Sequence, residues 1–311
     1  MSYQRISKKI FSKRNISEIA YKLICHLILF GVAFTIVLPL AKKGLTMFKG
    51  VDDLLDPLTA YIPRKPTTDT IRLTVTAMQY WSSLFNTMLL SLGVALLTTA
   101  SCTVIAYGFA RFKFRGRGIL FFFVLLALLI PPHILMNSYY MKFRYFDILG
   151  IIQLFFGSSV NLLDSFTPFV LLSVTGLGMK NSLFIFLQRQ YFKGLPLEIE
   201  EAGYIDGAGT FSIFTRIMLP NAAPILVTVF LFSFSWQWSD NYFTVLFLNN
   251  FKVLPDALAS LQNYKLSELE PILRTAMIDT GIIFTIVPLV LIYFIGQRFF
   301  IQGISRSGLV G

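Results

Sequence analysis

The chain has 311 residues, 55% of them hydrophobic and 14% charged, with a net charge of +11 and a mean hydropathy of +0.67. A soluble domain carries roughly 25% charged residues, so this composition excludes an ordinary soluble enzyme and places the chain in the membrane class. The positive balance fits basic cytoplasmic loops beside anionic headgroups and argues against a nucleic-acid binder.

About 20 apolar residues cross a bilayer as a helix, and all spans are expected to be helices because lipid offers no partner to an open strand edge. The sequence predicts an all-α membrane protein with six such crossings. A basic cytoplasmic N-terminus, residues 1–18, holds Arg5, Lys8, Lys9, Lys13 and Arg14. It leads into the first span, Ile19–Ala41, whose apolar run ends at "AKKG" rather than at a small-residue cleavage site, so it reads as a retained anchor. The outer loop 42–80 is polar and turn-rich ("DDLLDP", "YIPRKPTTDT") and too poor in core residues to be a domain. The second span is Leu84–Phe109. It is followed by "RFKFRGRG", where Arg111, Lys113, Arg115 and Arg117 crowd together and set an N-in, C-in orientation.

The third span, Ile119–Met141, contains Pro131–Pro132, which is expected to kink it. Phe146–Asp164 is interrupted by Gly150, "GSS" and Asn161 and reads as a short surface helix. The fourth span is Thr167–Leu187, with Lys180 inside it; the fifth is Ala222–Phe247; the sixth is Ala276–Phe300, with Pro288 inside it. Residues 19–300 form one transmembrane domain, and 301–311 form a cytoplasmic tail.

Between spans four and five lies "LPLEIEEAGYIDGAGTFSIFTRIMLP", residues 195–220. Pro196 suits a first helical turn. Glu198, Glu200 and Glu201 favour the positive end of the helix dipole. Ile199, Ala202 and Ile205 share a face. "DGAG" breaks the helix, with either Gly207 or Gly209 free to take positive φ. Phe211, Phe214, Ile217 and Met218 resume a second helix, and Pro220 marks the entry to span five. The unit is a helix–turn–helix that is expected to dock on a partner, since alone it buries little. Glu198, Glu200, Glu201 and Asp206 offer charge to that partner, and Ile199, Ala202 and Ala208 offer a small apolar knob. Arg216 either holds the acids internally or sits on the solvated face.

Catalytic chemistry is hard to find. No "GK" dipeptide occurs, so the P-loop pattern is absent. His26 and His133 are the only histidines and lie in or near apolar spans; Cys25 and Cys102 read as small hydrophobes, with no metal-ligand spacing. The segment "SWQWSDNYF" sets Trp236, Gln237, Trp238, Asp240, Asn241 and Tyr242 near the outer end of span five. Trp236 and Asp240 are four apart and share a face, and an intramembrane acid is a functional candidate. Trp236, Trp238, Asp240, Asn241 and Asn86 are the substrate-pathway candidates, against a competing role in an interfacial aromatic belt. Thr87, Asn137, Ser138 and Asp279 are weaker candidates, each equally suited to a helix-to-helix hydrogen bond.

"EEAGYIDGAGTFSIFTRIMLP" resembles the EAA loop of bacterial ABC importer permeases, with Glu201, Ala202, Asp206, Gly207, Ala208, Leu219 and Pro220 matching. Gly203 departs from the usual second alanine, which loosens the first helix by about 1 kcal/mol. "FNTMLLSLGVALLTTASCTVIAYGFARFKFRGRG", "FSFSWQWSDNYF" and "GQRFFIQGISRSGLVG" resemble the maltose-type, carbohydrate-uptake permeases of that class. The resemblance implies a bacterial cytoplasmic-membrane, multi-pass permease subunit importing sugars or oligosaccharides, not itself an enzyme. It also implies a second homologous permease, two ATP-binding subunits that use ATP and Mg, an extracytoplasmic solute-binding protein, and surrounding lipid. The coupling residues it implies are Glu198, Glu201, Ala202, Gly203, Asp206, Gly207, Ala208 and Pro220. A non-sugar solute is the alternative within the class. A self-contained secondary transporter is the alternative outside it, and the absence of an inverted repeat speaks against that reading.

Overall fold

The computed structural model describes residues 13–59, 61–178, 180–264 and 270–307. Among them the structure is helical, apart from one isolated antiparallel bridge between Phe146 and Val160. The chain divides into two units, one holding Met1–Thr74 with Lys265–Ile283, the other Val75–Tyr264 with Phe284–Gly311.

In the first unit, α1 (Lys13–Thr46) encloses the first expected span, and none of its most apolar window is buried within the chain's own fold. The polar loop that follows is more ordered than its composition suggests. It contains α2 (Val51–Leu55) and the start of α3 (Asp69–Ala77). Thr67 N donates to Phe48 O at 2.9 Å, and Lys65 N donates to the Asp53 carboxylate at 3.1 Å. Arg64 pairs with Asp56 at 3.0 Å, and Lys43 pairs with Asp279. Asp279 therefore already has a counter-charge.

The second unit is built around α4 (Tyr80–Arg111), about 48 Å long at 1.5 Å per residue. Its buried face carries Ser83, Thr87, Ser91, Ala95, Cys102 and Ala106 at helical spacing. Small side chains in such a row let neighbouring backbones come close, and the hydroxyls are partly satisfied within the helix, as Thr87 Oγ1 donates to Ser83 O at 2.7 Å. Packed around α4 are α8 (Thr167–Val174), α9 (Asn181–Gly194), α13 (Ala223–Trp238) and α15 (Leu254–Ser260).

The structure breaks several expected spans. Among the described residues, three helices are long and apolar enough to cross a membrane, or five if two bent pairs each count as one. At Pro131–Pro132 the expected kink is a 97° break between α5 (Arg117–Leu129) and the segment Pro132–Arg144, which contains α6 (Met136–Arg144). Two successive prolines withhold two N–H donors and disfavour helix at the residue before each. Pro288 breaks nothing, for α16 (Glu270–Ser307) runs through it. The expected fourth span is not continuous: α8 ends at Val174 and α9 starts at Asn181, with Gly176 between them at φ +74°. Fifth-span residues end their main helix at Trp238 and resume in α14 (Tyr242–Phe247). The expected surface helix is present as α7 (Ile151–Phe156). The first twelve residues of the basic N-terminus and the last four of the tail lie outside the described residues.

Gly176 fixes the α8–α9 break. A Cβ there would lie 2.6 Å from Ile105 Cδ1 on α4 and would occupy a left-handed conformation. Gly176→Ala is expected to destabilise the purified protein by about 1–2 kcal/mol from the backbone alone, read as a lowered melting temperature in detergent. Gly157→Ala, with open space around its Cβ, controls for the backbone cost without the contact.

Candidate functional site

The segment 195–220 folds as the expected hairpin. Its first helix, α10 (Glu198–Ile205), begins with three acids in the first turn, where the exposed N–H groups favour negative charge. It ends in a Schellman turn: Gly207 N donates to Tyr204 O and Ala208 N to Gly203 O, each at 3.0 Å, with Gly207 at φ +80°. Of the two glycines that could have taken positive φ, Gly207 does so; Gly209 stays at φ −72° and precedes α11 (Thr210–Ile213). Then Phe214–Met218 widens into a π-turn, and Leu219 N reaches back to Phe214 O. Pro220 follows directly. Its ring would crowd the carbonyl four residues earlier in an α-helix, and the wider turn moves that carbonyl away. The helix then bends by 75° into α13.

One face of the hairpin docks on the chain itself. Ile213 and Met218 are fully buried in a cluster with Tyr107 of α4 and Phe192 of α9. The Phe214 ring lies 4.7 Å from that of Tyr107. Deeper still, Arg111 at the end of α4 pairs with Glu200, Nε to Oε1 at 2.9 Å, the two side chains only 7% and 9% exposed. Arg111 Nη2 also donates to Leu195 O at 2.8 Å. Burial pushes the Glu200 carboxyl above its ordinary value, while the Arg111 charge draws it back down. Glu200 is thus an internal anchor, not a charge offered outward. Arg216 is exposed, and the residue that holds the acid is Arg111.

The apparent defect at Gly203 has a packing reason. A Cβ there would meet Ile217 Cδ1 at 3.0 Å and Ile213 Cγ1 at 3.1 Å. The missing methyl lets the two arms of the hairpin close on each other, which offsets its cost in helix propensity.

The other face is open. Glu198, Glu201, Ala202, Asp206 and Gly207 are exposed, and Ala208 is half-buried. Beside them project large apolar groups: Ile205 is 85% exposed and Phe211 77%, with Leu197 and Tyr204 also exposed. Ile205 and Phe211 flank the glycine turn and make the apolar knob much larger than alanines alone suggest. Pro220 is exposed at the far end.

The pathway candidates do not converge. Trp238 is buried, and its Nε1 donates to Thr285 O at 3.1 Å. Asp240 is buried and caps α14: Oδ2 accepts Thr244 N at 2.9 Å, and Oδ1 accepts Tyr242 N at 3.2 Å. Asn86 Nδ2 donates to Lys252 O at 3.0 Å, and Thr87 Oγ1 accepts Leu254 N at 2.8 Å, which ties α15 to α4. Asn241 is exposed. Trp236 lies apart from these, packed against Phe184 and Phe232 and lining a narrow cleft of ≈ 60 Å³ between α4, α8, α9 and α13. Lys180 sits 5.3 Å from its ring centroid. Asn181, Ser233 and Gln237 also line this cleft; of these, only Gln237 was named from the sequence, as part of "SWQWSDNYF". Lys180 was visible there only as a charge inside a span.

Residues 101–306 match the family described as the inner membrane component of binding-protein-dependent transport systems. The chain is 29% identical over 290 residues to the arabinooligosaccharides transport system permease protein AraQ of Halalkalibacterium halodurans, covering 90% of this chain and 93% of that one. It is 28% identical over 256 residues to the alpha-glucoside transport system permease protein AglG of Rhizobium meliloti, covering 81% and 63%. It is 26% identical over 224 residues to the sn-glycerol-3-phosphate transport system permease protein UgpE of Yersinia enterocolitica, covering 72% of each. Its fold matches a chain in the crystal structure of a bacterial ABC transporter involved in the import of the acidic polysaccharide alginate, with TM-score 0.71 and 17% identity, over 93% of this chain and 99% of that one.

Replacing Arg111 by leucine strands a buried carboxylate and is expected to cost about 3–5 kcal/mol, whereas Arg111→Leu combined with Glu200→Leu recovers most of that loss. A double-mutant cycle on the melting of the purified protein in detergent checks this. Additive losses would mean that the two groups do not interact.

Proposed function

The chain belongs to the family of inner membrane components of binding-protein-dependent transport systems, and from that premise we propose that it is one of two permease subunits of a bacterial ATP-driven importer for sugars or oligosaccharides. The observation that carries the reading is the two-faced hairpin 195–220: one face locked to α4 by a buried ion pair, the other presenting Ile205 and Phe211 to the outside. Exposed apolar groups of this size, rimmed by carboxylates, are what a docking surface offers: the apolar centre carries affinity, and the rim charges set orientation and specificity.

In this reading the hairpin faces the cytosol and rests on one of two ATP-binding subunits, which use ATP and Mg; this chain binds neither. Glu198, Glu201 and Asp206 form the charged rim. Ala202 and Ala208 let the partner approach closely. Gly203, Gly207 and Pro220 give the hairpin its shape. A push on Ile205 is passed through Glu200 to Arg111, and so to α4, with little slack because the pair is buried. Pro220 and the 75° bend hand the same displacement to α13. Both recipient helices line the cleft beside Trp236, so the motor is joined to the solute path by contiguous packed elements.

A second homologous permease supplies the other half of the path, and an extracytoplasmic binding protein delivers the solute. The permease domain covers 19–300, with six crossings and both termini inside. The third of those crossings is the pair bent at Pro131–Pro132, the fourth is made of α8 and α9 together, and the fifth is α13 with α14. Trp236 at the cleft and the exposed Asn241 are the pathway candidates placed to meet the solute, while Trp238, Asp240 and Asn86 are engaged by the fold. The names of the relatives favour saccharides, and the name of UgpE keeps a non-sugar solute as the alternative.

Ile205→Asp changes a side chain that the fold does not bury, so the protein is expected to reach the membrane in normal amount. It should retain less than a tenth of the wild-type ATP-dependent uptake and lose co-purification with the ATP-binding subunits, since a buried apolar anchor is typically worth about 2 kcal/mol or more at an interface. Uptake at the wild-type rate would remove the hairpin from the coupling path.

A further inference from the structure

Lys180 is an exposed cation at the break between α8 and α9, within an apolar stretch of the sequence. Among the described residues it makes no ion pair. It is held instead by the Trp236 ring, 5.3 Å from ammonium to centroid. Around it the cleft is lined by donors. Asn181 is 3% exposed and Gln237 8%, yet Asn181 Nδ2 and Gln237 Nε2 both lack a hydrogen-bond partner. A buried amide N–H without an acceptor is unfavourable by about 1–3 kcal/mol, so each of the two gains from an acceptor brought within reach. Lys180 is also the residue that precedes the first turn of α9, a 14-residue helix, so the positive end of that helix opens beside the cleft.

The geometry points to a subsite for a carboxylate carried on the transported saccharide, with Lys180 as the counter-charge and Asn181 and Gln237 as the hydrogen-bond donors. This inference rests on the saccharide-importer reading and narrows its substrate class to acidic saccharides. Position supports it: Lys180, Asn181, Trp236 and Gln237 all line one cleft, so a single small anionic group can meet them together. Charge count supports it as well, because one ammonium matches one carboxylate, whereas a phosphate near neutral pH approaches two negative charges. The two buried amides discriminate in the same direction. A neutral hydroxyl could accept from one of them but would leave the ammonium unbalanced, and a cationic solute would be repelled. Trp236 acts as a positioning residue that keeps the ammonium at the mouth of the cleft.

The test uses the complete importer with its binding protein in proteoliposomes, offered three probes: short oligogalacturonides, the matched neutral galacto-oligosaccharides, and galactose phosphate. Wild type is expected to take up the oligogalacturonides in preference to both others. Lys180→Met is expected to lower the acidic-to-neutral uptake ratio by about tenfold or more, as for a lost charge-assisted hydrogen bond, and Lys180→Arg is expected to restore most of it. Co-purification of the ATP-binding subunits with each variant reports whether it assembles, and Lys180→Gln, which keeps a polar side chain but removes the charge and is expected to lower the ratio in the same way, carries the test if the methionine variant does not. ATP-dependent uptake of the neutral sugar alone, preference for the phosphate, or an equal loss of both sugars in Lys180→Met would overturn the carboxylate subsite while leaving the importer reading in place. No ATP-dependent uptake of any of the three would overturn the saccharide reading and the subsite with it.

Discussion

The contact between Arg111 and Glu200 organises the functional half of this molecule. Two opposite charges, each less than a tenth exposed, meet where the longest helix of the second unit ends and the hairpin begins. Burying them costs desolvation, and the pair alone is weak evidence of added stability. Its effect is geometric. A buried charge has few alternative partners, so the hairpin has one seat on α4. The bond from Arg111 to the Leu195 carbonyl fixes the same seat from the other side. Aromatic packing of Tyr107 with Phe192 and Phe214 then closes the joint.

From that joint two lines of structure run outward. One follows α4, whose row of small side chains lets α9 and α13 lie close. The other follows the π-turn and Pro220 into α13. They meet again at the cleft, where Lys180 and Asn181 come from the start of α9 and Gln237 and Trp236 from the end of α13. In the proposed reading, a displacement of the hairpin would reach both walls of the cleft. The arrangement needs no long-range signalling network, only stiff helices with a shared root.

Much of this was legible in the sequence. The hairpin could be read because its signals are local: acids after Pro196, a glycine turn, then apolar spacing and Pro220. The broken third span was visible in Pro131–Pro132, though the size of the bend was not, because prolines limit what the backbone can do without fixing its angle. Pro288 shows the converse, a proline through which a helix continues. The Arg111–Glu200 pair was invisible, since the partners stand 89 positions apart and each has a sufficient local explanation, one as a membrane-flanking cation and the other as a first-turn acid. Gly203 looked like a weakness for the same reason: its value lies in Ile213 and Ile217, which only folding brings near. Asp240 and Trp238 drew notice as polar groups in an apolar stretch, and the fold engages both with backbone.

The π-turn at Phe214–Met218 has a consequence for how such a segment can change over time. It holds one residue more than an α-helical turn of the same rise. Between the anchoring acid and the prolyl bend, the number of residues sets the direction in which α13 departs. Deleting one position there would swing that departure by about 100°, the angular step of a single helical residue. Side chains along this stretch are free to drift wherever they face water, but its length is not, and insertions or deletions are tolerable only outside it.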